Sequence, residues 1–148
     1  MTLTLSQQYN SLPKYQRWPI EETILNQIET MMAGWKKVAS QHAGSKVDLL
    51  TSEGKNVQHT TQYKLPETGN AFLEQAKWQE SKNINEIWSF GVPDALDHIT
   101  TLWVVNRDVI ETAIQTQQFK VIGTHKDPNK LGYLIPTIWL DFHASIKI

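Results

Sequence analysis

Two runs rich in β-branched and aromatic residues, 84–90 and 98–105, flank the segment Gly91-Val92-Pro93-Asp94-Ala95-Leu96-Asp97. Gly91, Pro93 and Asp94 are turn formers. The pattern therefore predicts two strands joined by a turn. The second run is apolar or β-branched on both of its faces, as a central strand covered on both sides would be. Helical spacing appears elsewhere. Ile20, Ile24, Ile28, Met31 or Met32, Trp35 and Val38 recur at the period of a helix face. Pro19 suits a first helical position, Glu21 and Glu22 suit a helix N-terminus, and Gly44 suits the residue after a C-cap. These features predict a helix over 19–43.

The segment 46–65 alternates in the manner of a hairpin, with Ser52-Glu53-Gly54-Lys55 as its turn. Val57, His59, Thr61, Tyr63 and Leu65 form one side of its second arm. Residues 67–80 then predict a short helix with Phe72, Leu73 and Ala76 inward. Asp108 and Glu111 have capping-box spacing ahead of Val109, Ile110, Ala113 and Ile114, which predicts a third helix. "FKVIGT" predicts a strand, and "HKDPNK" a type I turn. The tail 138–148 alternates apolar and polar residues and predicts a final strand. The order is α-β-β-α-β-β-α-β-β, an α+β fold with an antiparallel sheet of about six strands and three helices. Residues 1–18 read as a polar N-terminal leader and 19–148 as a single α+β domain.

The chain has 148 residues, 40% hydrophobic and 20% charged. At that size folding buries roughly 70% of the surface that the unfolded chain exposes, so one core suffices. With no cysteine, thiol nucleophiles, disulfides and cysteine-bound zinc are excluded. The 14 basic and 15 acidic side chains leave a net charge of −1, and no basic cluster exceeds Lys36-Lys37. That distribution lacks the positive surface a nucleic-acid partner requires. The segment "MTLTLSQQYNSLPK" lacks the basic and apolar regions of a signal peptide. No stretch approaches the ~18 apolar residues of a membrane span. The expected setting is therefore the cytoplasm, with no membrane partner.

No phosphate loop, zinc-protease helix, nucleophile elbow or calcium loop occurs. No cofactor is expected. Asp141 and His143 are the candidate catalytic pair. On a strand they share one face, where a carboxylate can orient an imidazole and raise its basicity. Trp139 shares that face. The plain alternative is the solvated outer face of an antiparallel sheet. Asp94, Asp97 and His98 bring oxygen and nitrogen donors together, but at no recognised metal spacing, so no metal is expected. His59 reads either as a hydrogen-bonded core residue or as part of a pocket.

Six tryptophans are many for this length. Trp35 and Trp103 fit the core, while Trp18 and Trp78 are candidates for a partner surface. Arg107, at a strand-to-helix corner, can hold a carboxylate or phosphate, or simply pair with a surface acid. Three functions follow. One is a non-catalytic binding module that recognises a protein partner, of the inhibitor or neutraliser type, or that self-associates as a homodimer through an edge strand such as the C-terminal one. Another is a pocket for a small apolar or aromatic ligand, walled by His59, Trp88, Trp103 and Tyr133. The last is a small hydrolase or lyase using Asp141 and His143.

Overall fold

Strands β5 (Ile87–Ala95) and β6 (His98–Asn106) pair antiparallel at the centre of the computed structural model, which describes residues 2–38, 47–81, 83–123 and 130–148. Side chains alternate between two cores. Trp88 and Phe90 of β5, with Trp103 and Val105 of β6, belong to one apolar cluster. Ile87, Leu102 and Val104 belong to the other, with Ile24, Ile28 and Met32. Both faces are thus covered, which explains why apolar residues fall on both sides of these strands.

The first helices are α1 (Leu5–Ser11) and α2 (Lys14–Met31). The stretch before Pro19, which reads as a polar leader, is therefore largely helical. Thr4 and Gln7 form a reciprocal capping box on α1. Pro13 precedes α2 in an extended conformation, and Pro19 lies inside the helix rather than at its start. One backbone bond is lost there, and the helix carries on because its apolar stripe is packed on the sheet. It ends at Met31, short of the expected 43. Gly34 turns the chain at φ +81°, and a Cβ on it would stand 2.7 Å from Ser52 Cβ. Only glycine suits that turn. The expected cap Gly44 lies outside the described residues.

Short strands β1 (Lys36–Lys37) and β2 (Leu49–Leu50) follow, then β3 (Asn56–Thr61). The expected hairpin between β2 and β3 is present. The segment 67–80 divides into α3 (Leu65–Thr68), β4 (Asn70–Glu74) and α4 (Gln75–Ser81), not one helix. Gly69 ends α3 at φ +72°, and Ala71 and Leu73 then bury alternately as in a strand. After β6 come α5 (Arg107–Gln115), β7 (Lys120–Gly123), β8 (Leu131–Pro136), α6 (Thr137–His143) and β9 (Ile146–Lys147). The N-cap of α5 is Asn106 and not Asp108, because β6 runs directly into the helix. The turn expected at "HKDPNK" lies almost wholly outside the described residues.

The fold is α+β, but it differs from one antiparallel sheet with three helices. Sheet A has six strands in the order β1-β2-β3-β5-β6-β9. It is mixed, since β3 and β5 run parallel. A parallel pair needs a long crossover, and α3, β4 and α4 supply it. Strand β4 leaves to form a separate antiparallel sheet B, ordered β4-β8-β7. Six helices are present among the described residues. Helix α2 packs on one face of sheet A; sheet B and helices α4, α5 and α6 supply the cluster on the other.

Side chains close several backbone positions that no strand reaches. Gln62 accepts the Phe72 N–H at 2.7 Å and donates to Phe72 O at 3.1 Å. Asp48 Oδ2 accepts the His59 N–H at 2.8 Å. Glu29 accepts the Lys37 N–H at 2.6 Å. Each stands in for a missing strand partner.

Candidate functional site

The tail expected as one strand over 138–148 is mostly helix. Pro136, extended, occupies the N-cap position and α6 runs from Thr137 to His143. A short apolar run fits either period. Leu140 is buried while Ile138 and Phe142, which would share its face on a strand, are exposed, and this pattern fits the helix. Residues two apart on a helix are separated by about 200° around its axis. Asp141 and His143 therefore do not share a face, and the structure does not bring them together as a catalytic pair.

Asp141 is held elsewhere. Its Oδ1 accepts Lys147 Nζ at 2.7 Å and Trp103 Nε1 at 2.9 Å. These two donors, Lys147 first, hold its carboxyl below the usual range. The Lys147 ammonium also lies 5.4 Å from the centre of the Trp103 ring. The three residues fasten α6 to β6 and β9.

His143 instead stacks on Trp139, with ring centres 4.5 Å apart and planes 28° from parallel. Their spacing of four puts them one above the other on α6. Trp139 Nε1 donates to Gln118 Oε1 at 3.1 Å, and Phe119 meets the same indole edge-on at 4.9 Å. A cleft of about 310 Å³ lies here between α5 and α6, lined by Val109, Ala113, Gln118, Trp139 and His143, with Asp108. Beside it, Ile138 and Phe142 project from the side of α6 opposite the buried Leu140. Ile138 is 68% exposed and Phe142 82%. The result is an apolar ridge next to an aromatic-walled cleft, on a helix fixed from below.

The other candidates are dispersed. Trp88 and Trp103 are buried, and Trp88 lies 5.6 Å from Trp78. Trp78 is itself core, not partner surface. Tyr133 is buried and its hydroxyl accepts from Gln75 Nε2 at 3.1 Å. His59 belongs to β3, where Val57 on the same side joins the α2 core, so the four expected wall residues do not surround one pocket. Trp18 is exposed on α2. Arg107 donates to Asp108 at 3.0 Å, an exposed neighbour pair of small energetic value.

A part-buried polar cluster centres on His59. Nδ1 lies 2.8 Å from Ser89 Oγ, and Nε2 lies 2.9 Å from Thr61 Oγ1. Burial, helped by the charge of Lys77, lowers its pKa to about 3. The ring is neutral at pH 7, with one nitrogen donating and one accepting. Although Ser89 and His59 are adjacent, Asp48 binds the His59 backbone and not its ring, and Ser89 is fully buried. This is the hydrogen-bonded core histidine, not a nucleophile–base arrangement. Burial also raises Asp48 to about 6 against the opposing His59 N–H.

His98 and Asp94 pair at 2.6 Å, and this hydrogen bond lowers the Asp94 pKa. Among the described residues, no three His, Cys, Asp or Glu side chains form a metal-binding group. Among the same residues, no helix is long and apolar enough to cross a membrane. Sequence reasoning missed Ile138 and Phe142. Their spacing of four was the available signal, hidden because Ile138, Leu140 and Phe142 also alternate. No protein-family model matches this chain, and no curated protein matches it either.

Proposed function

We propose that the protein is a non-catalytic binding module, of the inhibitor or neutraliser type, that recognises a protein partner through α6 and the adjoining α5 cleft. The observation that carries this reading is the exposure of Phe142, 82%, beside Ile138 on a helix whose other sides are anchored. Aromatic residues, Phe among them, are enriched at protein interfaces, and a rigid element presents such a residue in a fixed geometry. The cleft beside it is apolar along Val109 and Ala113 and ends in a stacked Trp139–His143 pair. A helix or a large apolar side chain of a partner matches that relief.

The test compares proteins captured by the wild type and by Phe142→Glu from native lysate, with circular dichroism and melting temperature measured on both. The reading expects a discrete partner bound by the wild type and lost from a variant that folds equally well. Equal capture by both contradicts it. A second reading, a small aromatic ligand in the same cleft, draws on its volume of about 310 Å³, at the lower end for such sites. Intrinsic tryptophan fluorescence against a panel of aromatic compounds, compared between the wild type and Trp139→Phe, tests that reading.

A further inference from the structure

We propose that β9 is a docking edge for a second copy of this chain, the two β9 strands pairing antiparallel across a two-fold axis so that sheet A continues through a homodimer. This edge lies on a different element from the exposed Ile138 and Phe142 of α6.

Leu102 and Ile148 exchange both backbone hydrogen bonds, each 2.9 Å. In an antiparallel ladder the residue next to such a pair turns its own N–H and C=O outward. That residue is Lys147, opposite Trp103. Sheet A therefore presents a donor and an acceptor at this edge. Its other outer strand, β1, is defended: Glu29 takes the Lys37 N–H, and Lys36 is an exposed lysine on the same edge. The stretch of β6 beyond β9 is closed by Gln27, which binds both backbone groups of Ile99. At β9, the usual lysine guard of an edge is disarmed. The Lys147 ammonium is paired with Asp141 and sits over Trp103.

The edge is also complementary to itself. Antiparallel pairing centred on Lys147 lets each Lys147 N–H meet the other copy's Lys147 C=O. The same register sets Ile146 opposite Ile148 of the second copy, on one face of the sheet. Both are half-exposed in one chain, at 40% and 47%. Such apolar cross-strand pairs stabilise a sheet, and an isologous contact of this kind closes at two subunits. Because β9 is short, the contact is smaller than that of a permanent dimer. The association is weak and depends on concentration.

Sedimentation velocity over ~10 μM to ~1 mM tests it, on a scale where those concentrations bracket weak binding. The wild type is expected to rise from 17.0 kDa toward twice that mass. Lys147→Pro removes the outward N–H and keeps an extended backbone; Ile148→Lys restores a free charge at the edge. Either variant, folded by circular dichroism, is expected to weaken dimerisation at least ~10-fold. Phe142→Glu is expected to dimerise as the wild type does, whether or not the α6 reading holds. A wild type that stays monomeric throughout overturns the proposal. So does a dimer that survives both edge variants, or one abolished by Phe142→Glu.

Discussion

Gln27 and Ile99 form a two-bond pair that joins α2 to β6. Gln27 Nε2 donates to Ile99 O at 2.8 Å, and the Ile99 N–H donates to Gln27 Oε1 at 2.9 Å. A primary amide presents one donor and one acceptor side by side, as a neighbouring strand residue does. Gln27→Met keeps the length of the side chain and removes both bonds. It should cost about 1–3 kcal/mol, the cost of leaving buried polar groups unmatched. Urea unfolding measures it. A loss below ~0.5 kcal/mol, within the range of ordinary surface changes, would show that water replaces the amide freely.

His59 and Asp48 make opposite contributions to stability as pH changes. His59 is lowered to about 3 in the folded state. Its contribution is present above its unfolded pKa of about 6.5 and is lost as pH falls toward 3. Asp48 is raised to about 6. Its contribution is present below its unfolded pKa of about 3.9 and is lost as pH rises through 6. Between about pH 4 and 6 the two slopes cancel, each being about 1.4 kcal/mol per pH unit. His59→Gln should therefore grow more stable on acidification across this window. Asp48→Asn should grow less stable across it. Urea denaturation at stepped pH reads both, and slopes of the same sign in the two variants would contradict this assignment.

Gly34 allows the chain to turn from α2 into β1. Its φ of +81° and the contact with Ser52 leave no room for a side chain. Gly34→Ala should cost about 1–3 kcal/mol through backbone strain, with added cost from the Ser52 contact. Gly54 also has a positive φ, +82°, but nothing stands within 4 Å of its Cβ position. Gly54→Ala should be the milder of the two. Paired thermal melts give the order, and a reversed order would refute the steric argument.

The central strands were legible in the sequence because Trp88, Phe90, Trp103 and Val105 face one core while Ile87, Leu102 and Val104 face the other. Few polar residues interrupt the runs, and the threonines among them are β-branched, so strand is the natural reading. The β2–β3 hairpin was legible from Gly54. Helix α6 was not. Its seven residues place Ile138, Leu140 and Phe142 at alternate positions, and only the tertiary burial of Leu140 between the exposed other two decides the period. Segment 70–74 was lost for a similar reason: Asn70 resembles a helix cap, yet Ala71 and Leu73 alternate against β8. The site was hidden with the helix. Asp141 and His143 stood out as chemistry-bearing types, whereas the exposed pair is Ile138 and Phe142, whose types alone say core.

The α6 surface is tested most directly by placing a photo-crosslinking phenylalanine analogue at residue 142, with residue 15 as control. Tyr15 is 74% exposed on α2 and does not line the cleft. The account predicts a discrete protein adduct from position 142 that is absent from position 15. No adduct at 142, or the same adducts from both positions, would contradict it.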